Sequence, residues 1–330
     1  MNMLVDGEWR TDAFETTDES GSFERQTTSF RDRIRDDPDA QFQPEPGRYH
    51  LYVSYACPWA HRTLITRTLR GLEDAISVSV VDPFRDDGGW QFTPEKDGCT
   101  VDHVHDADYL RELYVRADPA MTGRVTVPVL WDTETETIVN NESREIMRML
   151  DTAFDEYATA DRTLLPDASE ERVDEILDEI YEPINNGVYR AGFATEQEPY
   201  DEAIDDLFGA LERWDSVLAD RRYLAGDRLT EADVAMFTTL IRFDRVYHTH
   251  FMCNVKRIVD YDHLWPYLRD VYQTPGVAET VRMDHIAEHY YTTHPNVNPH
   301  RIVARGPDLD LEAPHDRDRL ATDEPLAPSA

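Results

Sequence analysis

Lysine is nearly missing from this sequence: Lys96 and Lys256 are the only two, so the 33 basic residues are almost all arginine. Against them stand 67 acidic residues, for a formal net charge of −34. The acids are scattered along the whole chain. That charge repels nucleic acid and anionic membrane surfaces and excludes both as partners. With so little lysine, it reads as a surface adapted to high salt rather than as that of an ordinary acidic protein. Cysteine is also scarce. Cys57, Cys99 and Cys253 are widely spaced, with no C-x-x-C pair, which argues against a disulfide framework and leaves the thiols free. Missing too are a run of about 18 apolar residues and a basic-then-apolar leader in the opening stretch. The expectation is a soluble, cytoplasmic protein.

What is present suffices for a sizeable core: 330 residues, 40% of them hydrophobic, fit two domains. Residues 1–47 are polar with scattered aromatics (Trp9, Phe23, Phe30) and read as an extended arm packed on a domain. From Arg48 the pattern changes. "RYHLYVS" alternates as a strand, "PWAHRTLITRTLRG" places Leu64, Ile65 and Leu69 at helical spacing before Gly71, and "ISVSVVDP" is a second strand.

Residues 84–106, Gly- and Asp-rich around Trp90, read as a long excursion before the helix "DADYLRELYVRAD". The strands "VTVPVLWD" and "TIVNNES" and the helix "SREIMRMLDTAF" follow. The order β-α-β-α-β-β-α over residues 48–154 is that of a thioredoxin-like α/β domain. Residues 155–305 are then helical in period, from "RVDEILDEIYEPINN" to "GVAETVRMDHIAEHYY", and predict an all-helical second domain. Within it Thr230 and Asp233 are spaced as a capping pair. Residues 306–330 form an acidic, Pro-rich tail whose last dozen residues are expected to be loose.

The chemistry gathers at "SYACPWAHRT". Cys57 falls where a strand ends and a helix begins, so its sulfur meets unsatisfied N–H groups and the positive end of the helix dipole, both of which favour thiolate. The dipole contributes about 0.3–1 kcal/mol, and at most about 2. At about 1.36 kcal/mol per pKa unit it alone brings a thiol no lower than about 7. Pro58 has no N–H, so Trp59 and Ala60 are the expected donors. Ala60 stands where a second redox cysteine would, so the resolving thiol must come from outside. The alternative is a buried structural cysteine, the reading given to Cys99 and Cys253.

Pro128 in "RVTVPVLWD" is placed as a cis proline facing that helix start, with Val127 offering its backbone to an extended thiol peptide. Glu142 and Ser143 in "NES" open the next helix and could seat an α-amino acid head. His285, His289 and His294 could be read as metal ligands, but no Glu follows His285 and the spacing is common on solvated helix faces. No metal is expected.

With these residues assembled, the chain resembles the glutathionyl-hydroquinone reductases, the Xi class of the glutathione transferases. The likeness runs from about Val5 to about Asp318 and is carried by "RYHLYVSYACPWAHRTLITRTLRGLE", "GRVTVPVLWD", "IVNNES", "NNGVYRAGFAT", "LTEADV", "RFDRVYHTHF" and "DHIAEHYY". The resemblance implies a homodimeric enzyme of glutathione transferase fold. Its partners are small molecules: it reduces glutathionyl-hydroquinones, consuming glutathione as co-substrate and releasing glutathione disulfide. By that match Cys57 is the nucleophile, and Trp90, Arg124, Val127, Glu142 and Ser143 bind glutathione. Tyr189, Tyr247 and Tyr290 line the hydroquinone pocket. γ-Glutamylcysteine is the alternative thiol. The alternative functions are an omega-like thioltransferase or dehydroascorbate reductase and a non-catalytic ligand-binding homologue.

Overall fold

The computed structural model describes residues 2–13 and 17–320. Its sheet has the strand order β4-β3-β5-β6, with β3 (Tyr49–Val53) parallel to β4 (Ile76–Val80) and antiparallel to β5 (Val129–Asp132), which pairs antiparallel with β6 (Thr137–Asn140). All five residues of β3 are buried, as a central strand covered on both faces requires. Helix α1 (Pro58–Arg70) crosses from β3 to β4 and stops at Gly71, whose φ of 62° lets the Gly71 and Leu72 amides turn back to Thr68 and Arg67. Helices α2 (Leu110–Ala117) and α3 (Ser143–Thr152) complete the expected order. Strand β5 starts only at Val129: the Val127–Pro128 peptide before it is cis, and Val125 to Val127 lie outside the ladder.

A second core is built from α4 (Glu170–Ile180), α5 (Gly187–Phe193), α6 (Gln197–Val217), α7 (Glu231–Arg242), the single turn α8 (His248–His250), α9 (Leu264–Tyr272) and α10 (Met283–Thr293). On α6 the buried residues Ala203, Ile204, Leu207, Phe208, Leu211 and Trp214 recur at helical spacing. At α7 the Asp233 carboxylate accepts from the Thr230 N–H at 2.8 Å, so the predicted capping pair forms. Asp233 also takes bonds from the Leu224 N–H and the Tyr267 hydroxyl, and burial leaves its pKa at about 6. Helix α5 had no sequence signal of its own, since "NNGVYRAGF" is short and carries two glycines. Both α4 and α7 run on into a π-helical turn, Tyr181–Asn185 and Phe243–Tyr247. Such turns are frequent at functional sites.

The arm does more than pack on one domain. Strands β1 (Met3–Val5) and β2 (Glu8–Arg10) form a hairpin pinned by Leu4 to Gly123, while Ile34 and Phe42 enter the sheet-side core. Arg31 and Arg33 both bond Glu145 on α3. Burial pushes Glu145 up, but the bonds from Arg31, Asn140 and Arg33 outweigh it and hold it at about 2. Between these anchors Arg25 reaches the helical layer, donating from Nε to Asn186 Oδ1 at 3.0 Å. At the other end, the described part of the tail also docks. Leu311 and Arg317 are buried, and Arg317 donates to the Leu218 and Arg222 carbonyls. Residues 321–330, most of the stretch expected to be loose, lie outside the described residues.

Candidate active site

A cavity of about 360 Å³ lies between the sheet layer and the helical layer, and Cys57 is on its wall. The end of β3 and the start of α1 put Cys57 at the N-cap with Pro58 in the first helical position. The thiol is half-buried and donates to the Val127 carbonyl at 3.6 Å, so the cis-proline loop does face the helix start. Cys99 and Cys253 are buried elsewhere, bonded to the Val81 and Phe251 carbonyls.

The expected depression of the Cys57 pKa is not what the environment produces. Burial pushes the thiol up, and the Ala60 N–H, the Arg242 charge, the Trp59 N–H and the Arg25 charge oppose it without reversing it. Desolvation on the cavity wall outweighs the helix terminus. Cys57 should therefore still be gaining reactivity toward iodoacetamide as pH rises past 8, because the thiolate fraction grows with pH through a raised pKa. A rate that levels off below pH 7 would contradict this assignment.

Eight of the nine residues matched to the nucleophile, thiol-binding and hydroquinone positions line this one cavity: Cys57, Trp90, Arg124, Val127, Glu142, Ser143, Tyr189 and Tyr290. Glu142 is the N-cap of α3, accepting from the Arg144 N–H at 3.4 Å, and Ser143 follows at the first helical position. Trp90 is carried by the long excursion, whose backbone is stapled to the start of α2 by the Leu110 N–H to the Trp90 carbonyl at 2.9 Å. Its ring stacks on His289, with centroids 5.2 Å apart and planes 15° apart. Trp90 Nε1, Ser143 Oγ and Thr28 Oγ1, all on lining residues, are buried without a hydrogen-bond partner among the described residues. Unpaired buried polar atoms are costly, and these suit a polar ligand.

Tyr247 is the exception. It is fully buried behind the wall rather than on it, at the end of the second π-helical turn. Its hydroxyl donates to or accepts from Tyr290 at 2.9 Å, while Tyr189 and Tyr290 are 2.5 Å apart and Tyr189 and Tyr247 3.5 Å apart. Burial raises the pKa of all three, so all are protonated at neutral pH. Three hydroxyls hold three protons. The two short contacts use two of them, which leaves one proton in the weak 3.5 Å contact and free to turn to a ligand oxygen.

Other lining residues carried no sequence signal. Phe23, Arg25 and Gln26 come from the arm, which has no periodicity to interpret, and Arg85 from the excursion. Arg25 lies over the Trp59 ring at 4.8 Å and the Tyr189 ring at 5.1 Å. Burial and the neighbouring Arg85 and Arg25 bring the Arg124 pKa down to about 9, so it stays charged at neutral pH. A cluster of guanidiniums in a chain of net charge −34 is a local anion seat. The histidines are committed otherwise. His285 Nε2 is bonded to the Asp97 carbonyl, and His289 Nδ1 must donate to the Pro83 carbonyl at 2.6 Å, which leaves His289 Nε2 as an acceptor. Among the described residues no group of three or more metal-ligating side chains occurs.

The chain matches the glutathione S-transferase N-terminal domain over residues 56–153 and the C-terminal domain over 197–273. It is 49% identical to the glutathionyl-hydroquinone reductase YqjG of Escherichia coli, over 96% of this chain and 99% of that protein. Identity to the reductase PcpF of Sphingobium chlorophenolicum is 47%, over 93% and 96%. This chain belongs to the glutathionyl-hydroquinone reductases, the Xi class of glutathione transferases.

Solved structures of the class overlay closely. The Xi-class transferase of Natrialba magadii superposes with a TM-score of 0.93 at 76% identity, covering 97% of this chain and 98% of that one. The glutathione-bound Escherichia coli YqjG superposes at 0.87 with 48% identity, covering 96% and 99%. Xi-class membership and the transferase fold therefore stand together, and no helix among the described residues is long and apolar enough to cross a membrane.

Proposed function

We propose that this chain reduces glutathionyl-hydroquinones to hydroquinones at the expense of glutathione, with Cys57 as the nucleophile. The observation that carries this reading is one cavity holding the Cys57 sulfur, the paired Tyr189 and Tyr290 hydroxyls and an arginine-lined polar seat. Thiolate attacks the thioether sulfur of the substrate in its keto tautomer. The S–S bond forms as the C–S bond breaks, and its electrons enter the ring to give the hydroquinone phenolate. The proton that the ring carbon keeps arrived with tautomerisation. The spare hydroxyl proton of the tyrosine cluster stabilises the oxygen anion. A second thiol then attacks the mixed disulfide, releasing the thiol disulfide and regenerating Cys57, so the kinetics are ping-pong.

In the same reading Glu142 and Ser143 hold the γ-glutamyl head and Val127 pairs with the cysteinyl backbone. Arg124 and Trp90 hold the far end. Tyr247 acts through Tyr290. The arm at 1–47, the thioredoxin-like domain at 48–154, the helical domain at 155–305 and the tail at 306–330 make one protomer of a homodimer acting in the cytoplasm. Comparing turnover of a glutathionyl-hydroquinone with that of a small disulfide and of dehydroascorbate tests the function. Preference for either of the latter would favour the omega-like reading. Regeneration rates with glutathione and with γ-glutamylcysteine identify the native thiol.

Salt adaptation belongs to the same proposal. At 0.01 M salt the Debye length is about 30 Å, so repulsion among surface carboxylates crosses a whole domain, whereas at 1 M it is about 3 Å. The melting temperature should rise markedly from dilute buffer to molar KCl. An unchanged value would defeat the salt reading.

A further inference from the structure

Arg242, the last residue of α7, is a fully buried guanidinium on which the turn carrying Cys57 rests. Its Nε donates to the Ala56 carbonyl at 3.0 Å and its Nη2 to the Tyr55 carbonyl at 2.8 Å, the two residues immediately before Cys57. Nη1 donates to the Thr238 carbonyl at 2.7 Å and meets His61 Nδ1 at 3.1 Å. The direction of that last bond can be worked out. Thr280 Oγ1 donates to the Val277 carbonyl at 2.6 Å, so it accepts from His61 Nε2 at 2.8 Å, and His61 Nδ1 is left with a lone pair for Arg242. Burial and the Arg242 charge drive the His61 pKa well down, so the ring is neutral.

Among the described residues the four hydrogen bonds of Arg242 therefore go to neutral acceptors, and none of these partners is a carboxylate. Arginine does not deprotonate in proteins, and a buried charge is ordinarily hydrogen-bonded and paired with an opposite one. Here neutral dipoles solvate the guanidinium, and among the described residues no hydrogen-bonded carboxylate balances its charge.

We propose that Arg242 is the positioning residue of Cys57: it fixes the two carbonyls that lead into the Cys57 turn and sets an unbalanced buried positive charge behind the sulfur. This rests on the reading of Cys57 as the nucleophile. The other cations near the sulfur are of a different kind. Arg25, Arg85 and Arg124 line the cavity itself, where the carboxylates of a bound thiol peptide would meet them. Arg62 on α1 is buried and bonded to Asn185. Arg31, Glu142, Tyr181, Tyr189, Tyr290 and the histidines 289 and 294 are the other titratable groups lining the cavity. Arg242 is not on that wall, so its charge is still available to the thiolate when the site is filled. Among the influences on the Cys57 thiol it is the largest favourable charge, next to the Ala60 amide.

The test is the pH profile of iodoacetamide alkylation at Cys57, located by peptide mapping, in the full chain and in Arg242→Met, Arg242→Gln and Arg242→Lys. A nearby opposite charge moves a pKa by about 1 to 3 units. The Met and Gln variants are expected to raise the midpoint by about one unit or more, which is about a tenfold loss of rate at a fixed pH below it. Lys, with a single ammonium in place of the fork and no opposite charge to hold its proton in so buried a site, is expected to behave like the neutral variants. A folded neutral variant whose midpoint does not move overturns the proposal. If neither neutral variant folds, the Lys variant decides: a midpoint that does not move overturns it. Turnover on the same variants separates the two claims. A midpoint that shifts without any change in turnover counts against Cys57 as the nucleophile, not against the role of Arg242.

Discussion

Replacing Cys57 by Ser is expected to abolish reduction of glutathionyl-hydroquinones while leaving the fold intact. Serine fits the same N-cap position and accepts from amides there at least as well as cysteine does. It supplies no anion near neutral pH, and oxygen cannot form the mixed disulfide through which the electrons pass. Removal of a nucleophile elsewhere costs on the order of 10⁴-fold or more in turnover. The half-buried thiol donates to the Val127 carbonyl, a bond that a serine hydroxyl can also make. Near-normal hydroquinone release by Cys57→Ser, followed spectroscopically, would remove Cys57 from the mechanism. The same substitution at Cys99 or Cys253 should leave turnover largely unchanged, since both thiols are buried away from the cavity.

Tyr290→Phe is expected to lower turnover by about 10² to 10³, the usual loss for one oxyanion-type donor. Tyr290 takes part in both short contacts of the tyrosine cluster, at 2.5 and 2.9 Å, so its removal frees two hydroxyls and leaves no ordered donor. Tyr189→Phe should cost nearly as much, because Tyr189 also lines the cavity. Tyr247→Phe should cost less, since Tyr247 stands behind the wall and reaches the ligand only through its partners. Thiol binding should change little in all three. If the three losses were equal, or appeared wholly as weaker thiol binding, the leaving-group role would be wrong.

The sequence made the chemistry legible wherever residue type and local structure coincide. A cysteine before a proline at a strand-to-helix junction defines its own position, and the same holds for Glu142 and Ser143 at the start of α3. The two periods, alternating in β3 and near 3.6 in α6, reported the layers because each element buries one face or all of itself. What stayed hidden depends on contacts between distant segments. Arg25 enters the cavity from an arm with no periodicity, its position set by Ile34, Phe42 and the Glu145 ion pairs rather than by its neighbours in sequence. The depth of Tyr247 depends on a π-helical turn that shifts the helix register by one residue, and no propensity marks it. The Cys57 pKa is hidden for a related reason: the helix end is local, but desolvation comes from walls that distant segments build around the sulfur.

The central claim is that electrons leave the thioether through a covalent bond to Cys57, and a single-turnover experiment tests it most directly. The protein is mixed with one equivalent of a glutathionyl-hydroquinone in the absence of free thiol, quenched in acid and analysed by intact mass and peptide mapping, with the released hydroquinone measured in parallel. The account predicts one hydroquinone released per protomer and a matching glutathionyl adduct on the peptide that carries Cys57, removed on adding thiol. Hydroquinone release with no adduct, or with the adduct on Cys99 or Cys253, would contradict it.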